Sequence, residues 1–160
     1  MKHDAAGCRD PRHAANRALV RNADIMAEII GNKAIESAAL EWVLDLERAA
    51  GRQPVDARFT SAPGDIASPP RVIELKAFGK SARGNDLWLE TRQLEEARNN
   101  PNFYLYIAEN IRQGDRAQFT LRVLGGERLH ALLRRAKEQH YYTVPWPVAQ
   151  YDSCPFGLDG

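Results

Sequence analysis

Glu74 and Lys76 stand two residues apart inside an otherwise apolar run, Val72-Ile73-Glu74-Leu75-Lys76-Ala77-Phe78. A strand shows successive side chains to opposite faces, so both charges point one way and Ile73 and Leu75 the other. Charged groups in such a strand have to be paired or bound to a metal. The run follows Pro69-Pro70, and Asp65 lies as far before that pair as Glu74 lies after it. A hairpin centred on the prolines sets Asp65 opposite Glu74 on one face, about 5 Å apart at Cβ. Two carboxylates that near repel each other unless a proton or a cation sits between them. The cation expected here is a divalent metal.

The rest of the chain must support such a hairpin. Its 160 residues, 44% of them hydrophobic, suffice for one domain with a real core. The net charge of +1 carries no global polyanion-binding signature, so any basic patch has to be local. No run of 18 apolar residues occurs, and no transmembrane helix or membrane partner is expected. The N-terminus lacks an apolar h-region, which argues against a secretory signal. Cys8 and Cys154, one near each end, are no disulfide framework; the natural compartment is a reducing cytoplasm. His3, Cys8 and His13 match no standard zinc-finger spacing.

Taken in order, residues 1–12 read as a flexible leader, 13–140 as the domain and 141–160 as an aromatic, proline-rich tail. Helical spacing is expected over 13–30 and again from Asn32, a candidate cap, to about Ala50. On that second helix Glu36 shares a stripe with Leu40 and Val43. Strands are expected at 55–60, 72–78, 86–89, 102–110 and 116–124, with a helix from a Thr91 cap to about Asn99. Phe103, Leu105 and Ile107 should face one way and Tyr104, Tyr106 and Ala108 the other, so the 102–110 strand should be buried on both sides. The last helix is expected over 127–140, with Arg134 and Arg135 among the basic residues of its outer face. The tail, from Tyr141 to Pro147, carries aromatics that either stack bases or, more commonly, lie back on the core.

Two carboxylates and a lysine on one face are what metal-assisted phosphodiester hydrolysis requires. Mg²⁺, or Mn²⁺ in its place, takes one or two protein carboxylates and fills its other positions with water and phosphate. Asp65 and Glu74 are the expected metal ligands, Lys76 the stabiliser of charge on phosphorus or positioner of water, and Glu36 an additional carboxylate. Lys80 and Arg83, in the loop GKSARGN, are candidate phosphate contacts, as are Arg134 and Arg135. There is no GxSxG elbow, Walker loop or HExxH to suggest other chemistry. The plainer alternative is a structural Glu74–Lys76 pair on an exposed sheet face.

The pattern resembles the PD-(D/E)xK nuclease superfamily and, more narrowly, the NO VEIN C-terminal domain family. The matching pieces are Asn32-Lys33-Ala34-Ile35-Glu36, Pro63-Gly64-Asp65-Ile66, Ile73-Glu74-Leu75-Lys76, Leu89-Glu90-Thr91, Tyr104-Leu105-Tyr106-Ile107-Ala108-Glu109-Asn110 and Leu121-Arg122-Val123. The resemblance implies an α/β, restriction-endonuclease-like fold, with a mixed central sheet flanked by helices. It implies that Asp65, Glu74 and Lys76 match the active-site motif and Glu36 the first-helix acid. Two departures stand out: Gly64 separates Pro63 from Asp65, and Arg92-Gln93-Leu94-Glu95 replaces the usual Asn-Glu pair, leaving Gln93 as the polar substitute. The implied function is a metal-dependent endonuclease acting on DNA, with a role in foreign-DNA defence and a partner protein in a multi-component system. The alternatives are a non-catalytic module that keeps the fold to bind nucleic acid or protein, and a homodimer formed through the tail.

Overall fold

The computed structural model describes residues 28–140 and 142–154. The leader, most of the first expected helix, Cys8 and the two N-terminal histidines lie outside the described residues, as does Tyr141. The described chain forms one five-stranded sheet in the order β1-β2-β3-β4-β5. The strands are β1 (Val55–Asp56), β2 (Ile66–Ser68), β3 (Arg71–Ala77), β4 (Phe103–Glu109) and β5 (Thr120–Gly125). β3 and β4 run parallel and every other neighbouring pair antiparallel, so the sheet is mixed. The helices are α1 (Asn32–Ala49), α2 (Thr91–Asn99), α3 (Gly126–Leu133) and a short α4 (Val148–Ser153).

The alternation along β4 decides the layering. Tyr106 turns to one face, where it meets Ile66, Ile73 and, from α1, Leu40, Val43 and Leu44. Phe103, Leu105 and Ile107 turn to the other, against Ala97 of α2 and Leu129 and Leu133 of α3. A parallel pair needs a crossover connection, and α2 supplies it between β3 and β4. Each such Leu or Ile contributes roughly 1.5–3 kcal/mol by leaving water, so both faces of β4 are stabilising. The result is an α/β fold with a mixed sheet flanked by helices.

Several elements differ from the sequence-based expectation. β1 stops at Asp56 because Arg58 folds back on the Asp56 carboxylate and Thr60 bonds the Ala57 carbonyl, closing a turn. Residues 86–89 alternate like a strand but pair with none, and 116–118 form a 3₁₀ turn before β5 begins. Glu90 rather than Thr91 caps α2: its side chain accepts from the Gln93 backbone, and the Gln93 side chain accepts the Glu90 N–H. Gly31, not Asn32, is the cap position of α1. α3 ends at Leu133, so Arg134 and Arg135 follow the helix instead of lining its outer face. Tyr142, Trp146 and Tyr151 are exposed, so the described part of the tail does not lie back on the core. Among the described residues no helix is long and apolar enough to cross a membrane.

Candidate functional site

The hairpin places the two carboxylates. β2 and β3 pair Ile66 with Ile73, Ala67 with Val72 and Ser68 with Arg71 across the turn at Pro69-Pro70. Extending that register by one step sets Asp65 opposite Glu74. The strand pairing has ended there, and Asp65 continues it with its side chain: Oδ2 accepts the Leu75 N–H at 2.8 Å. Its carbonyl meanwhile accepts the Ala57 N–H at 2.8 Å, holding the backbone against β1. Gly64 makes this approach possible. A Cβ at that position would stand 2.7 Å from the Ile73 carbonyl oxygen, closer than real Cβ contacts allow. The glycine between Pro63 and Asp65 thus lets the chain run tight against β3.

Glu74 and Lys76 share a face of β3, as the alternation requires, and Lys76 Nζ donates to Glu74 Oε1 at 2.8 Å. Glu74 is 2% exposed, and among the described residues its Oε2 is the one buried side-chain polar atom without a hydrogen-bond partner. Burial is the main reason its carboxyl is pushed up to about 7, against the pull of Lys76; the charges of Asp65 and Glu90 add to the rise. Asp65 is also raised, again chiefly by burial, with the Leu75 N–H, Lys76 and Arg58 pulling the other way. A buried carboxylate with a spare oxygen and a like charge opposite is an unsatisfied arrangement.

β3 beyond Ile73 lacks a partner on its β2 side, and a cleft of about 830 Å³ opens along that edge. Glu36 reaches it from α1, exposed and beside Leu40 on the lining, so the acid lies at the margin of the helix's apolar stripe. Glu90 and Gln93 reach it from the start of α2. The wall also includes Arg58, Asp86 and Trp88, none of which sequence reasoning selected as site residues. A signal for Glu90 was present: Glu90-x-x-Gln93 is a capping-box spacing ahead of a helix. Arg58 had no such signal, because only the turn after β1 brings it round. The lining holds five acids (Glu36, Asp65, Glu74, Asp86, Glu90) against two bases (Arg58, Lys76), so the cleft attracts cations.

The other basic candidates stand elsewhere. Lys80 and Arg83 are exposed on the loop that follows β3, and neither lines the cleft. Arg134 pairs with Glu127 at 3.1 Å and borders a separate shallow hollow with Arg98 and His130; Arg135 is exposed just beyond it. The loop after β3 is anchored from β4. Buried Glu109 accepts the Ala82 N–H at 2.7 Å and the Ser81 hydroxyl at 3.1 Å through Oε1, and Arg122 at 2.7 Å through Oε2. Its carboxyl is held below the usual range, chiefly by the Ala82 N–H.

Among the described residues no group of three or more His, Cys, Asp and Glu side chains is placed to hold a metal. Asp65 and Glu74 line the cleft together, and two carboxylates are as many as Mg²⁺ commonly takes from protein beside a phosphate. The unmatched Glu74 Oε2 is the observation that fits a cation there. No curated protein and no solved structure matches the chain. A family model, that of the C-terminal domain of Protein NO VEIN, matches residues 35–121, a span that includes every acid of the cleft and Glu109 as well. That span is more than half of the 160 residues, and the chain belongs to the NO VEIN C-terminal domain family.

Proposed function

We propose that the domain is a divalent-metal-dependent nuclease of the PD-(D/E)xK type that hydrolyses phosphodiester bonds of DNA. The observation that carries this reading is the buried, unpartnered Glu74 Oε2, opposite Asp65 and bonded through its other oxygen to Lys76. Asp65 and Glu74 would hold Mg²⁺ or Mn²⁺, which supplies hydroxide near neutral pH and neutralises charge developing on phosphorus. Asp65 is pre-set for this by the Leu75 N–H, which fixes its carboxylate before any ligand arrives. Lys76 Nζ, already held at Glu74, donates to a non-bridging phosphoryl oxygen and favours the charged transition state. Glu36, from α1, and Gln93, from α2, both on the cleft lining, orient water and the sugar-phosphate chain. A role against foreign DNA, and a partner protein, belong to the same proposal and rest on the resemblance alone.

The acidic balance of the cleft favours a second reading, a non-catalytic module with the same fold. The excess of acids over bases on its lining repels a polyanion as long as no cation is bound. Incubating DNA with the protein in Mg²⁺, Mn²⁺ or chelator separates the two. The nuclease reading expects metal-dependent cleavage that Asp65→Ala and Lys76→Ala each reduce by about a hundredfold or more, with circular dichroism unchanged. Cleavage indifferent to both substitutions overturns it.

A further inference from the structure

Trp88 is 63% exposed on the wall of the cleft, and its neighbours hold it there. Leu87 and Leu89, on either side, pack into the core between the sheet and helices α2 and α3. With both flanking leucines turned inward, the indole between them is turned out. Arg58 lines the same cleft and carries beside it Phe59, 91% exposed, with the guanidinium 5.5 Å from the ring centroid. Arg58 is held as well: Nε and Nη2 donate to the two Asp56 carboxylate oxygens at 3.0 and 2.8 Å. Arg92, in the first turn of α2, donates to the Ser61 carbonyl and so ties this turn to the segment that carries Trp88.

We propose that Trp88, Phe59 and Arg58 form a stacking rim for unpaired bases, and that the substrate class of the cleft is single-stranded or locally unpaired DNA. The proposal rests on the nuclease reading of the same site. Every base has a π-face, so exposed aromatics beside a fixed guanidinium bind single strands with little regard to sequence. In a duplex those faces are already stacked on one another and offer the rim nothing. The floor of the cleft gives the second reason. Glu74 is 2% exposed on a cleft that Trp88 and Arg58 also line, so a phosphate has to enter that cleft to reach it, and a flexible single strand can follow it in while its bases stay at the aromatic wall.

The test titrates a labelled single-stranded oligonucleotide, its duplex and an RNA of the same sequence against the protein, with Ca²⁺ in place of Mg²⁺ so that binding is read without turnover. The single DNA strand should bind more tightly than the duplex. Trp88→Ala should weaken single-strand binding by between about fivefold and a hundredfold, the worth of one base–aromatic stack, while Trp88→Phe restores most of it. Duplex or RNA binding tighter than single-stranded DNA, or indifference to Trp88→Ala, overturns the proposal. Cleavage is scored separately in Mg²⁺. Trp88-dependent single-strand binding without cleavage keeps the rim and removes the nuclease; cleavage of duplex unchanged by Trp88→Ala keeps the nuclease and removes the rim.

Discussion

Asp65 Oδ2 accepts the backbone N–H of Leu75 at 2.8 Å, just past the last β2–β3 pairing of Ile66 with Ile73. A side-chain carboxylate stands where the next residue of a strand would have offered its carbonyl. Asp65→Asn keeps an acceptor for Leu75 and removes the charge. Its unfolding midpoint should therefore stay near wild type while divalent-metal affinity and cleavage fall. Gly64→Ala is the converse: the charge stays, but the new Cβ would meet the Ile73 carbonyl oxygen at 2.7 Å. It should cost about 1–3 kcal/mol in denaturant and lower cleavage through displacement of Asp65. Full cleavage by Gly64→Ala at reduced stability would show that the tight approach serves the fold alone.

Glu74 makes the metal-free protein sensitive to neutral pH. Its carboxyl is raised from 4.5 to about 7 in the folded state, chiefly by burial. The folded chain then holds a proton that the unfolded chain has released, so stability is greatest below pH 4.5 and is lost as pH rises through about 7. The shift corresponds to up to about 3 kcal/mol. In chelator, denaturation curves of wild type should lose stability from pH 5 to 8 relative to Glu74→Gln, which stays neutral. Parallel curves for the two proteins would mean that Glu74 is solvated or fully paired. Adding Mg²⁺ should flatten the wild-type dependence, because a bound cation replaces the proton.

The hairpin was legible because its information is local: a turn at Pro69-Pro70 and a two-residue period fix both the register and the face of Glu74 and Lys76. The two buried faces of β4 were legible for the same reason. What depends on distant partners was not. Leu87-Trp88-Leu89 alternates like a strand, yet no neighbour offers it a ladder, so the pattern expresses two anchors and one outward ring. Arg58 enters the cleft because a turn closes on Asp56, a contact that propensity does not encode. The basic residues after α3 looked like a helical face, but the helix stops at Leu133 and that face does not form.

Glu109 links the end of β4 to the loop after β3, and its loss should be felt in that loop before it is felt in the core. Glu109→Gln keeps an acceptor for Ala82 but loses the charge toward Arg122. Glu109→Ala also leaves the Ala82 N–H and Ser81 hydroxyl without their acceptor, at about 1–3 kcal/mol. Limited trypsin digestion should cut at Lys80 and Arg83 fastest in the alanine variant, more slowly in the glutamine variant and slowest in wild type. Equal rates in all three would show that the loop is held by its backbone bonds to Asn110 and Arg112.

Acid stability should belong to a different glutamate. Glu47 of α1 is buried and joins three strands to its helix: it accepts from Ser68 Oγ at 2.8 Å and Tyr106 Oη at 2.7 Å, is bound by Arg52 and stands 3.7 Å from Arg71. Burial alone would push its carboxyl up, but the bonds from Arg52, Tyr106 and Ser68 together hold it down at about 2, against an ordinary 4.5. A depressed acid contributes stability that is present above pH 4.5 and lost as pH falls toward 2. The shift corresponds to about 3 kcal/mol, similar to the cost of breaking a buried ion pair. Glu47→Gln should therefore be less stable than wild type at pH 6 by about that amount, with the gap closing between pH 4.5 and 2. Its window does not overlap that of Glu74, so Glu47→Gln should alter the acid limb of the stability profile and Glu74→Gln the neutral limb. A gap between wild type and Glu47→Gln that is constant down to pH 2 would mean that packing around Glu47, and not its charge, ties α1 to the sheet.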